Sequence, residues 1–181
     1  MALSFLFRGL RRCRATDVSG IAAFEFALAM PILLILFGGV TDLSIAIWDH
    51  ITTIAAVNAG ADYALTKGQG VATGSDVGPF LTIVAAIVAA TSRSGATLST
   101  SNIVVTYNNA ADGSNFSNTY CVPASGVFPA TATASSSTCA DGTTPGKFVR
   151  IQSTYMYTPF SPVDAPFLSG SYTDTAMVRV Q

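Results

Sequence analysis

From Phe26 to Val40 no side chain is charged, and Ile21 to Ile47 is apolar except for Glu25, Thr41, Asp42 and Ser44, with Gly38 and Gly39 inside. About 20 apolar residues are what a helix needs to cross the hydrocarbon core of a bilayer. The Leu, Ile, Phe and Val side chains between Phe24 and Val40 number ten. At about −0.3 to −0.6 kcal/mol each they supply roughly −3 to −6 kcal/mol of insertion free energy. A carboxylate at the helix centre would offset about 3 kcal/mol, and Glu25, near the end, offsets less. Insertion wins, so a membrane-spanning helix comes first and the rest of the chain must fold around its exit. Only 10% of the residues are charged, against about 25% in an average soluble domain.

The charges also set an orientation. Arg8, Arg11, Arg12 and Arg14 precede Gly20, whereas residues 21–62 contain no Lys or Arg and carry Glu25, Asp42, Asp49 and Asp62. Cytoplasmic flanks collect basic residues, so the N-terminus stays inside and everything after about residue 45 is exported. The formal net charge of −1 argues against a nucleic-acid partner.

Glu25 sits in the run Gly20-Ile21-Ala22-Ala23-Phe24-Glu25-Phe26. A carboxylate beside hydrocarbon is strongly disfavoured without a partner. Cutting the chain after Gly20 would create one, the α-ammonium of Ile21. Two alternatives compete. A cleaved secretory signal would share the basic start, but the apolar core is long and no A-x-A-like junction closely follows it. A plain single-span anchor would let Glu25 snorkel to the headgroups.

Gly20 followed by four small or apolar residues and then Glu25-Phe26 resembles the processing motif of type IV prepilins. The continuation Phe26-Ala27-Leu28-Ala29-Met30-Pro31 more specifically resembles the TadE-like minor pilins of the bacterial tight-adherence (Tad, or Flp) pilus system. Tyr155-Met156-Tyr157-Thr158-Pro159-Phe160 and Ser171 to Val180 resemble the last strands of that family. The resemblance covers about residues 18–66 and 147–181. It implies cleavage after Gly20 by a membrane-embedded aspartic prepilin peptidase, which makes Glu25 the fifth and Phe26 the sixth residue of the mature chain. It further implies a helix that holds the protein in the inner membrane and then packs into a pilus or its base. The partners would be other pilins, the assembly machinery and the lipid bilayer. Such a protein has no active site or cofactor of its own. One departure is Asp17-Val18-Ser19 directly before Gly20, with Arg14 the nearest basic residue.

In an assembly of parallel helices, Glu25 can pair with the Ile21 ammonium of its own chain or a neighbour. Such a pair sets axial register, because an uncompensated charge in lipid costs several kcal/mol.

The helical pattern continues past the bilayer. Leu43, Ile47, Ile51, Ile54, Asn58, Ala61 and Leu65 recur at three- and four-residue steps, which predicts one inward stripe of an amphipathic helix. Asp42, Asp49 and Thr53 lie off that stripe, and Asp62 lies at its edge. Lys67-Gly68 reads as the helix end. Pro31 removes one backbone hydrogen bond and reads either as a kink or as a tolerated membrane proline.

A second helix is predicted from Pro79 to about Arg93, with Asp76 a possible cap and Gly95 its stop. It is short for a span and reads as buried against the domain or a neighbouring subunit, with a re-entrant membrane segment the other reading. Three strands follow, at Thr97–Tyr107, Lys147–Tyr157 and Tyr172–Val180. In the second, Val149, Ile151, Tyr155 and Tyr157 share a face; in the third, Asp174 is the exception on a face of Tyr172, Ala176, Val178 and Val180. The fold class expected is therefore α+β and pilin-like: a long transmembrane and amphipathic helix packed on a small antiparallel sheet, with one further helix. The divisions are a basic cytoplasmic leader over 1–20, a span over 21–47, the exported part of the helix over 48–67, and an exported domain over 78–181.

The polar insertion Asn108–Gly146 reads as a long structureless loop. Cys121 and Cys139 bracket its centre, and exported thiols oxidise, so a disulfide closing the loop 121–139 is expected in place of two free thiols. Cys13 would leave with the leader. His50, the only histidine, reads as facing solvent or headgroups. No nucleophile elbow, phosphate loop or metal-ligand spacing occurs, so the chain does not read as an enzyme. A structural role in pilus assembly and surface adherence is the favoured function. The competing readings are a permanently anchored extracytoplasmic binding module or adhesin, and, with nothing to support it, a membrane-tethered hydrolase.

Overall fold

The computed structural model describes residues 18–92, 102–123, 125–134, 136–160 and 165–181. The leader up to Asp17 with Cys13, the expected helix end at Arg93 with its stop at Gly95, and the strand start at Thr97 lie outside the described residues. The architecture is α+β. A 50-residue helix α1 (Val18–Lys67) is followed by a short 3-10 turn (Gly68–Gly70) and helix α2 (Gly74–Thr91). Strands β1 (Ile103–Tyr107), β2 (Phe148–Tyr157) and β3 (Gly170–Arg179) form one antiparallel sheet in the order β1-β2-β3, with a one-turn helix α3 (Ala165–Leu168) between the last two strands.

Helix α1 runs unbroken through Pro31. From Gly20 to Phe37 every side chain is exposed, and the first residue that the domain buries is Asp42. Thr41 and Ser44 donate their hydroxyls to the carbonyls of Phe37 and Val40, four residues back. Those bonds satisfy the two hydroxyls without help from water. Lys67 occupies the last turn, as expected. The Gln181 carboxamide donates to the carbonyls of Gln69 and Val71 just beyond it.

The helix meets the domain on the opposite face from the one its large apolar residues predict. Leu43, Ile47, Ile51 and Ile54 are exposed, and of the predicted stripe Ala61 alone is buried. The inward face instead carries Asp42, Asp49, Thr53, Ala56, Val57, Gly60 and Ala64. Size is the reason. A Cβ on Gly60 would stand 2.5 Å from Val88 Cγ2 and 3.3 Å from Ile151 Cδ1, so α1 approaches both α2 and β2 closer than a row of isoleucines would permit. The polar residues on this face are each satisfied, which removes most of the penalty for burying them.

Helix α2 starts five residues before the expected Pro79. The Thr73 backbone N–H and hydroxyl both donate to Asp76 Oδ2, at 3.0 and 2.7 Å. The Asp76 N–H donates back to the Thr73 carbonyl at 3.1 Å, and the helix so started runs on through Pro79 in its interior. The hydrogen bonds hold the exposed Asp76 carboxyl below its usual range. Val77, Phe80, Leu81, Val84 and Val88 face the core. They close it together with Ile103, Val105 and Tyr107 of β1 and Val149, Ile151, Tyr155 and Tyr157 of β2.

The insertion is laced down rather than structureless. Tyr107 and Ala110 exchange both backbone hydrogen bonds across Asn108-Asn109, whose φ angles are 48° and 62°. That is the twist of a tight hairpin turn, which asparagine tolerates best among residues with a Cβ. Buried Asn108 then ties the insertion together. Its Nδ2 donates to the carbonyls of Asn115 (3.0 Å) and Asn118 (2.8 Å), and its Oδ1 accepts from Phe148 N–H (2.9 Å). Gly113, at φ 79°, lies against the Gly74 carbonyl with no room for a Cβ. Bridges Thr119–Thr133 and Tyr120–Gly146 order the remainder.

Tyr107 is fully buried, and its hydroxyl finds no partner among the described residues. Burial pushes its pKa up from 10.0 to about 12. The unfolded chain would therefore release this proton first. The stability linked to the neutral phenol is complete below pH 10 and is lost as pH climbs toward 12. Tyr107→Phe keeps the ring stack on Phe116 and removes a buried unpaired hydroxyl. It should leave stability at pH 7 unchanged or raise it by about 1 kcal/mol, and flatten the loss between pH 10 and 12. Denaturant melts across that range check both; a loss above about 1 kcal/mol at pH 7 would contradict the assignment.

Candidate assembly site

Gly20, Ile21, Glu25 and Phe26 lie on the first turns of α1, and all are exposed. A Cβ at Gly20 would meet nothing within 4 Å. Nothing among the described residues asks for glycine here. Ile21 and Glu25 are four residues apart and share a helix face. An ammonium on Ile21 would stand one turn from the Glu25 carboxylate, at a helix terminus whose free N–H groups and dipole also favour negative charge.

One step along the same helix lies a cluster that sequence reasoning missed. Tyr155 Oη donates to Asp49 Oδ2 at 2.8 Å. Tyr157 Oη donates to the Asp42 carbonyl at 2.8 Å, and Phe160 N–H donates to Asp42 Oδ1 at 3.0 Å. Burial, and next the bond to Asp49, raise the Tyr155 phenol above its ordinary range, which adds to the alkaline sensitivity set by Tyr107. These residues line a cleft of about 410 Å³ with Ile45, Met156 and Thr158. A signal for it exists in the chain. Two acids seven residues apart share a helix face, and two tyrosines two residues apart share a strand face. Buried tyrosines seek acceptors for their hydroxyls.

The pairing sets direction. Along α1, Asp42 precedes Asp49; along β2, Tyr155 precedes Tyr157. Strand β2 thus runs back toward the exposed N-terminal part of α1. At the other end of the sheet, Val180 packs on Gly68 and Tyr120 pairs with Gly146. That far end carries the disulfide between Cys121 and Cys139 (Cα–Cα 5.6 Å). Closing such a loop stabilises by about 3 kcal/mol in the chain-entropy picture. His50 is exposed, and its Nε2 also lies 3.1 Å from Asp174 Oδ1. This contact explains an acid on the inward face of β3. Among the described residues no group of three or more His, Cys, Asp or Glu side chains could hold a metal ion.

Residues 20–62 match the family model for TadE-like protein. That stretch is similar to the TadE-like family. The matched stretch opens on Gly20, includes Ile21, Glu25, Phe26, Asp42 and Asp49, and ends at Asp62. It is consistent with a TadE-like protein of the Tad pilus system. No curated protein and no solved structure matches the chain. The TadE-like match thus covers the helix, while the sheet, including the strands at 147–181, lies beyond it. With the long apolar helix it fits a membrane-anchored, pilus-associated protein.

Proposed function

We propose that the chain is a minor pilin, or pseudopilin, of a Tad-type pilus. It is inserted with its N-terminus cytoplasmic, cut after Gly20 by a prepilin peptidase, and incorporated through α1 in pilus assembly and surface adherence. The observation that carries this reading is the TadE-like match opening at Gly20, a glycine that no packing contact among the described residues explains. The shared face of Ile21 and Glu25 supports the register role of the pair. Residues 21–41, at 1.5 Å each, make a helix about 31 Å long, the thickness of a hydrocarbon core. The span expected over 21–47 would thus be covered by the domain from Asp42 onward. The outward stripe of Leu43, Ile47, Ile51 and Ile54 extends the apolar surface of the span and suits neighbouring pilin helices. Residues 1–20 would be the leader, 48–67 the exported part of the helix, and 78–181 the exported domain.

The test is the mass of the protein extracted from membranes of cells that make the pilus. Cleavage after Gly20 gives a chain beginning at Ile21, lighter by another two hydrogens for the disulfide. Gly20→Asp should abolish cleavage, and Glu25→Ala should leave it intact while pilus assembly falls at least about tenfold, the effect of losing a pair worth roughly 1.4 kcal/mol or more. A chain that keeps its arginines while pili assemble normally sinks the proposal. The adhesin reading draws on the position of the disulfide loop, at the end of the sheet away from the apolar helix. It expects Gly20 and Glu25 to be replaceable and deletion within 121–139 to abolish attachment.

A further inference from the structure

We propose that Phe160 and Phe167, on the two described ends of the connection between β2 and β3, form a second membrane contact. In it, Phe160 and Phe167 lie in the headgroup region of the bilayer that α1 crosses, seating the exported domain on the membrane surface before assembly. This inference rests on the membrane-anchored reading and adds a surface to it.

Phe160 and Phe167 are 95% and 84% exposed, the two most exposed large apolar side chains of the described structure. Scattered apolar residues on a surface are ordinary, but two nearly bare phenylalanines on one connection are not. Their position identifies what covers them. The connection leaves β2 at Tyr157 and re-enters β3 at Gly170, which pair in register at the end of the sheet nearest the span. Its start is tied to α1 by the Phe160 N–H bond to Asp42 Oδ1 and the Tyr157 Oη bond to the Asp42 carbonyl. Asp42 follows directly on the 21–41 stretch, whose length matches the hydrocarbon core. A backbone hydrogen-bonded to that residue stands at headgroup depth.

The chemistry agrees. From Met156 to Thr173 the sequence has one charged residue, Asp164, and no Lys or Arg. Contact with lipid must therefore be apolar and aromatic rather than electrostatic. Phenylalanine at this depth buries its ring about 5–10 Å into the boundary of headgroups and acyl chains. Trp48, exposed on α1 six residues past Asp42, suits the same aromatic level. Leu168, beside Phe167, packs on the core, so this end of the connection is held against the domain while Phe167 is left exposed.

The experiment uses the full chain reconstituted into phosphatidylcholine vesicles whose acyl chains carry bromine near the headgroup. The chain has one tryptophan, so Trp48→Phe makes a dark background. Tryptophan is then placed singly at Phe160, at Phe167, at Leu34 within the span, and at Val127 in the distal disulfide loop. All but Leu34 are exposed side chains of the domain, where the exchange perturbs little. The expected result is a roughly twofold or greater loss of emission for Phe160→Trp, Phe167→Trp and Leu34→Trp, as burial 5–10 Å into the boundary requires, with Val127→Trp unchanged. The loss should be the same in high salt and without anionic lipid. Quenching of Leu34→Trp without quenching at 160 and 167 overturns this inference and leaves the anchor standing. If Leu34→Trp is itself unquenched, the membrane reading falls and this inference with it.

Discussion

Asn108→Leu is expected to cost the domain about 4 kcal/mol or more. Two partners would be left without a bond, the Asn118 carbonyl and the Phe148 N–H, while the Asn115 carbonyl keeps only the Asn118 N–H. Each buried polar group left unpaired costs about 1–3 kcal/mol. Leucine would also be forced to φ 48°, a left-handed conformation that costs a residue with a bulky Cβ about 1–2 kcal/mol. A domain of this size has about 5–15 kcal/mol of stability in total. The melting temperature of the full chain in detergent should fall by roughly 15 °C or more, followed by near-ultraviolet circular dichroism. Asn108→Gly separates the two causes, since it accepts the backbone angle but still lacks the side-chain bonds. It should recover about 1–2 kcal/mol. A loss below about 1 kcal/mol for Asn108→Leu would mean that the insertion is not pinned through this side chain.

Gly60→Leu should be about as damaging, through sterics instead of polarity. The site has Val88 Cγ2 at 2.5 Å, Ile151 Cδ1 at 3.3 Å and Val84 Cγ1 at 3.5 Å from where even a Cβ would stand. Alanine gains about 1 kcal/mol of helix propensity over glycine, which partly offsets its clash. Leucine adds three more carbons at a point where α1, α2 and β2 converge, and overpacking costs about 1–3 kcal/mol or more. To make room, α1 would have to withdraw from the sheet. That movement would also stretch the Tyr155–Asp49 and Tyr157–Asp42 bonds. We expect a loss of about 3 kcal/mol, read by the same melts, together with faster amide exchange along β2. A Gly60→Leu chain that melts like the parent would show that this helix face is not packed as described.

The two substitutions mark where sequence reasoning succeeded and where it stopped. The strand face of Val149, Ile151, Tyr155 and Tyr157 was legible because alternation along a strand depends on local geometry alone. So was the end of α1 at Lys67-Gly68. The inward face of α1 was not legible. Hydrophobicity pointed to Leu43, Ile47, Ile51 and Ile54, yet these stay exposed. On a helix that continues out of a membrane, large apolar residues do not have to face the domain, because lipid or neighbouring helices can cover them. Small residues decide instead, since they set how closely α1 can approach α2 and β2. The start of α2 was misjudged for a related reason. Pro79 suits a first helical position, but the pair of bonds from Thr73 to Asp76 sets the start one turn earlier.

Composition and order alone determined that a long apolar helix comes first, that an acid stands at its mouth five residues past a glycine, and that an α+β domain follows. Each of these follows from transfer free energy or local periodicity, which need no distant partner. Only the tertiary structure decided which side of that helix meets the sheet, and that Asp42 and Asp49 are buried against Tyr157, Phe160 and Tyr155. Those outcomes depend on partners more than 100 residues away in the chain, and the burial of a polar group is settled by whether such a partner arrives.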